Sequence, residues 1–120
     1  AAFALIDEIT EQAEAGRDRL PDLAEAVWEA AETLREATEW LVTQPDMTDR
    51  FAGAVPFLRG MARVLGGHYH LCAALVGDTP RVALARFYIK RLLPEHAASL
   101  TQAREGAAGL YDLSLEDLAA

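Results

Sequence analysis

Apolar residues recur along this chain at intervals of three and four, the repeat that lines one side of a helix. Phe3, Ile6, Ile9 and Ala13 share one stripe and predict a first helix from about Ala2 to Ala15, with Gly16 as its stop. Beyond Gly-Arg-Asp-Arg, the series Leu20, Leu23, Val27, Ala30, Leu34, Ala37 and Leu41 alternates threes and fours without a break, as a bundle seam does. Glu25, Glu29, Glu32, Glu36 and Glu39 repeat the same rhythm on the other side of this second helix. A row of carboxylates so placed reads first as a solvated outer face and second as a docking stripe for a basic partner.

Gln44-Pro45-Asp46 interrupts the pattern, and a third, longer stripe follows: Met47, Phe51, Ala54, Leu58, Met61, Leu65, His68, Cys72 and Leu75. Pro56 falls inside it and should bend the helix near Phe51 to Pro56 or shift its start, because an internal proline costs about 3 kcal/mol unless accommodated. Gly66-Gly67 costs about 1 kcal/mol per residue relative to alanine in mid-helix, and close approach of a neighbouring helix is the simplest compensation. Gly77-Asp78 closes this helix. Thr79 as N-cap and Pro80 in the first turn open a fourth, whose seam runs through Ile89, Leu93, His96, Leu100, Ala103, Ala107 and Leu110 with a kink at Pro94. Ser114-Leu115-Glu116-Asp117 reads as a capped final turn. The expected fold is therefore all-α, one antiparallel up-down-up-down four-helix bundle over residues 1–120 with kinked third and fourth helices.

Composition narrows the picture. The 120 residues are 52% hydrophobic, enough for one continuous core, and the apolar part is mostly Ala and Leu, which favours helices over sheet. The single cysteine, Cys72, excludes an internal disulfide and any multi-cysteine metal site, and points to a reducing, cytoplasmic setting. There is no membrane-length apolar run and no signal-peptide pattern at the start. The opening Ala-Ala-Phe, already helical in pattern, suggests a piece excised from a longer polypeptide. The net charge of −8 is uneven: residues 1–50 hold 13 acids and 4 bases, residues 51–120 hold 6 acids and 7 bases. No nucleic-acid surface is expected of the first half, and the two halves are expected to pack with opposite fields.

Little in the chain resembles a reaction centre. His68 and His70, two apart on a helix, point to different sides and cannot easily share an ion; His96 could approach His68 only if both seams face the core. The Glu-x-x-His pairs of di-metal bundles are missing, as are phosphate-loop, nucleotide-fold and nucleophile-elbow patterns. Cys72 lies one turn from His68, but on the apolar seam a small buried thiol is the simpler role. Arg59 with Arg63, and Arg86 with Lys90, are i,i+4 basic pairs that could meet a phosphate or balance acids of the domain itself. Trp28 lies off the second seam and Trp40 at its margin, where large aromatics cover a groove or mark an interface.

Several stretches carry a resemblance to a known family: Glu36-Ala-Thr-Glu-Trp-Leu41, Pro56-Phe-Leu-Arg59 running into Gly66-Gly67, and above all Ala85-Arg-Phe-Tyr-Ile-Lys-Arg-Leu-Leu-Pro94 before Gly106-Ala-Ala-Gly109. From about Leu5 to Leu118 the chain resembles the additional C-terminal domain of bacterial acyl-CoA dehydrogenases, the methylmercaptopropionyl-CoA dehydrogenase-like branch among them. That resemblance implies a helical appendage following the flavin-binding, catalytic core of an enzyme that oxidises acyl-CoA thioesters at the α,β bond. The glutamate base and the FAD contacts belong to that core, so no residue of this chain inherits a catalytic, cofactor-binding or metal role. The partners implied are the preceding dehydrogenase core and other subunits of a homo-oligomer, and Trp28, Arg59, Arg63, Tyr69 and Arg86 are the candidate contacts. A free-standing bundle that binds an apolar ligand or dimerises through Phe51 and Trp28 is the alternative.

Overall fold

The computed structural model describes residues 1–108 and 115–119, and among them every regular element is a helix: α1 (Ala2–Ala15), α2 (Pro21–Thr43), α3 (Met47–Val76), α4 (Thr79–Arg91), α5 (Glu95–Glu105) and the short α6 (Leu115–Ala119). The first three match the stretches expected from the sequence in extent. Pro21 occupies the first turn of α2, where its missing N–H costs nothing. Asp46 caps α3 by accepting from the Thr48 N–H at 2.7 Å. Asp78 rather than Thr79 is the N-cap of α4, its carboxylate accepting from the Arg81 N–H at 3.4 Å, and Thr79 is already helical.

The expected fourth helix is two helices. The Leu92 and Leu93 N–H groups both donate to the Tyr88 carbonyl, at 2.8 and 2.9 Å, so the last turn of α4 closes on itself and α5 restarts behind Pro94. Leu110 and Ser114, expected in the fourth seam and the final cap, lie outside the described residues. Pro56 neither ends α3 nor delays it, since the helix begins at Met47 and continues unbroken to Val76.

Side-chain pairs give the helix directions. Asp7 meets Arg35 at 2.8 Å and Arg17 meets Glu25, which sets α1 antiparallel to α2. Arg19, just before α2, donates to the carbonyl of Leu75 near the end of α3, so these two are antiparallel as well. Along α3 in the reverse sense come Arg81 beside Gly77, Tyr88 beside Gly66 and His70, Leu100 beside Gly60 and Ala103 beside Gly53. α4 and α5 therefore continue one antiparallel course down α3 despite the break between them. α1 packs on α2 and α3 but not on α4 or α5, whereas α2 packs on all four. The rods do not close the square of an ordinary four-helix bundle; α2 and α3 form a central pair flanked by the others.

α2 holds this place because it is apolar on two adjoining stripes, Leu23, Val27, Ala30 and Leu34 on one and Ala24, Ala31 and Thr38 on the other, all buried. The Thr38 hydroxyl donates to the Leu34 carbonyl at 2.7 Å, so its burial leaves no unmet donor. α3 meets α4 and α5 through Gly53, Gly60 and Gly67, spaced one heptad apart, with Val64 and Leu71 buried along the same side. Leu100 fills the space above Gly60, and Leu93 the space above Gly67. The expectation that Gly66-Gly67 admits a neighbour is met: the Tyr88 ring lies over Gly66 and its hydroxyl donates to the Arg63 carbonyl at 3.2 Å.

This buried row corrects the seam read from the sequence for the third helix. Met47, Phe51 and Leu58 are exposed, while Ala54, Met61, Leu65, Cys72 and Leu75 lie at the margins; of that series only His68 is fully buried. A rule that scores large apolar residues passes over glycine, and here glycine marks the tightest contact.

Candidate functional site

The five residues expected at an interface lie on different sides of the molecule. Trp28 is half-buried against the core, and the guanidinium of Arg17, just past α1, stands 5.7 Å from its ring centre. Arg86 on α4 reaches α2, where Asp22 takes Arg86 at 2.5 Å and Lys90 at 3.4 Å. The Arg86 hydrogen bond holds the Asp22 carboxyl below the ordinary carboxylate value. With Arg104 3.8 Å from Glu36, these pairs join the acidic first half to the basic second half, as the charge distribution led us to expect.

Arg59 and Arg63 share a groove of 340 Å³ between α3 and α5 with Ala62, Glu95 and Ser99. Arg63 is neutralised there by Glu95 at 2.7 Å. Tyr69 lies farther along the same side, in a groove of 490 Å³ between α3 and α4 that also includes Gly66, His70, Ala73, Arg81 and Leu84. The His70 ring stacks on Tyr88 with centroids 4.6 Å apart.

The histidines do not come together. His68 is buried, and desolvation pushes its pKa down, opposed more weakly by the charge of Glu8. His96 Nδ1 approaches its own helix start at the Leu93 carbonyl, 2.6 Å away, and the ring borders a groove with Glu29 and Thr33. Among the described residues no group of three or more His, Cys, Asp or Glu side chains could hold a metal ion. Cys72 Sγ is 3.8 Å from His68 Nδ1, but burial raises the thiol pKa while it lowers that of the imidazole, the reverse of an activated thiolate–imidazolium pair.

The buried polar side chains of the described residues are Thr38 and His68; the first is spent on its own helix and the second faces Cys72. No described helix is long and apolar enough to cross a membrane.

Sequence reasoning named Phe51 and Tyr69 as contact residues but missed that they share one outward side of α3. Phe51, Val55, Leu58, Tyr69 and Val76 are 71%, 58%, 61%, 63% and 87% exposed, on the side opposite the glycine row. At its N-terminal end Phe51 also borders a groove of 510 Å³ with Leu41, Val42, Arg50 and Ala54. The signal was present: α3 carries two apolar series rather than one, and a helix apolar on both sides asks for two neighbours.

No curated protein and no solved structure matches this chain. A family model does, described as acetyl-CoA dehydrogenase C-terminal like, and it matches residues 3–114. With nearly its whole length covered by that match, the chain belongs to the acetyl-CoA dehydrogenase C-terminal-like family.

Proposed function

We propose that this chain is a non-catalytic accessory domain of an FAD-dependent acyl-CoA dehydrogenase, following the catalytic core in one cytoplasmic polypeptide and contributing to subunit packing. The observation that carries this reading is the outward apolar face of α3 on a domain of that family, a surface the domain does not bury within itself. Ala85 to Pro94 favour the methylmercaptopropionyl-CoA dehydrogenase-like branch, and this stretch is structural here: Ala85, Ile89 and Leu93 are buried against α2 and α3, and Tyr88 spans Gly66. Chemistry and flavin belong to the core in this account, and the domain supplies contact area.

Deletion of the domain from its parent polypeptide tests the assignment. The remaining enzyme should keep its flavin and oxidise acyl-CoA, while its oligomeric state or thermal stability falls. Loss of bound flavin from a core that still folds would contradict a non-catalytic role.

A further inference from the structure

The chain carries 19 acidic and 11 basic side chains, so a base that finds no acid stands out. Among the described residues Arg17, Arg35, Arg63, Arg86, Lys90 and Arg104 each reach a carboxylate. Arg19 and Arg50 donate to backbone carbonyls, and Arg91 stands over the Phe87 ring. Within that described set Arg59 and Arg81 are left with neither an acid, a carbonyl nor a ring. Arg81 lays its stem over Gly77 and borders the apolar groove of Ala73 and Leu84. Arg59 instead shares its groove with a second guanidinium and a hydroxyl, those of Arg63 and Ser99.

The helix register explains why Arg59 lacks an acid. α5 runs antiparallel to α3, with Ala103 beside Gly53, Leu100 over Gly60 and Glu95 2.7 Å from Arg63. Arg59 lies one turn back along α3 from Arg63, and Ser99 one turn on along α5 from Glu95. The Ser99 hydroxyl therefore stands in the place across from Arg59 that the Glu95 carboxylate holds across from Arg63. One rung of the ladder is closed and the next is open, and both line a single groove of 340 Å³. Arg63 is not exhausted by its partner, because a guanidinium carries five N–H donors and one carboxylate takes up only part of them. Two guanidiniums against one carboxylate leave the groove with a net positive charge. Its donors come from two helices and so approach from different directions, which suits the three outer oxygens of a phosphate better than the flat pair of a carboxylate. We propose that this groove is a binding site for a phosphate monoester, with Arg59 as its principal cation, Ser99 donating from α5 and Arg63 held in place by Glu95.

Titration of the isotope-labelled chain with methyl phosphate, followed through the arginine Nε–H resonances, tests the site. The Arg59 and Arg63 signals should move together and saturate, with a dissociation constant of about 1 mM at low ionic strength that rises with salt, since solvent reaches the groove. Arg59→Gln should weaken binding about ten-fold and Ser99→Ala about three-fold. Glu95→Gln should strengthen it about three-fold, because it removes the carboxylate of the groove and releases Arg63. Arg81→Gln takes away the same charge elsewhere and should change the constant by less than about two-fold. Arg59 and Arg81 are exposed, so the helical circular dichroism of both variants should be that of the natural chain. Shifts that do not saturate, equal losses from Arg59→Gln and Arg81→Gln, or weaker binding by Glu95→Gln would overturn the proposal. Acetate that binds as tightly as methyl phosphate would overturn it too, and give the groove to carboxylates. The titration needs no attached enzyme, so this site and the accessory-domain reading can fail separately.

Discussion

Gly53 and Ala103 bring α3 and α5 into backbone contact: an atom at the Cβ position of Gly53 would stand 2.6 Å from the Ala103 carbonyl oxygen and 3.4 Å from its carbonyl carbon. Neither neighbour can swing aside, so Gly53→Ala must push the two helices apart. Alanine gains about 1 kcal/mol of helix propensity, and the overlap should outweigh it to leave a net loss of about 2 kcal/mol. Gly66→Ala should cost less than half as much, because it meets the end of the Tyr88 side chain, which can tilt toward the neighbouring groove. Urea unfolding of the two variants measures the difference; equal losses, or a more stable Gly53→Ala, would contradict the packing described.

Acid should weaken the fold in two separate windows. Burial holds the His68 imidazole neutral, with its folded pKa below the ordinary 6.5, so the unfolded chain binds a proton that the fold resists. Stability from this residue is whole above pH 6.5, declines as the pH falls from there through the folded pKa, and then levels. The Asp22 pKa is likewise depressed below its ordinary 3.8, here by Arg86, so its contribution holds above 3.8 and is lost as the pH drops through its lower folded value. His68→Gln should flatten the first window and spare the second. Urea midpoints at pH 8 and pH 5 that coincide for the natural chain would refute the burial argument.

The Asp22 pairs themselves should matter little near neutral pH. All three side chains are 44–50% exposed, and solvent screens them. Asp22→Asn is expected to cost roughly 0.5 kcal/mol at low ionic strength and nothing measurable in strong salt. A loss above 2 kcal/mol would mean that the charge asymmetry holds the halves together, rather than the α2 core.

Cys72 should be a slow thiol. Its raised pKa and partial burial predict modification by a neutral disulfide reagent about ten-fold slower in the folded chain than in urea at the same pH. Faster reaction when folded would show that His68 activates it.

These contrasts also explain what could be read before the structure. α1 was legible to the residue and α2 in its buried side, because Ile, Leu and Val mark those sides at regular intervals and Gly16 stops the first, whereas Leu20, the first residue of the second seam, proves to be the N-cap before Pro21. α3 was legible in extent but not in phase. Its buried side is built on Gly53, Gly60 and Gly67, whose contribution is the room they leave, while Met47, Phe51, Val55, Leu58 and Val76 face away. The break at Leu92 to Pro94 was visible as a proline but not as two helices, since the decisive bonds to the Tyr88 carbonyl depend on how Leu93 seats over Gly67. Of the candidate contacts, Tyr69 falls on the outward side of α3; Arg59 and Arg63 line the groove toward α5; and Arg86 and Trp28 are engaged with Asp22 and Arg17, partners far enough along the chain that only the fold reveals them.

The most direct measurement is the intact mass and visible spectrum of the native polypeptide that carries this sequence. The account predicts a yellow, flavin-containing chain several times 13.0 kDa, with these residues following the dehydrogenase core. A colourless native product near 13.0 kDa would contradict it and leave a free-standing helical module.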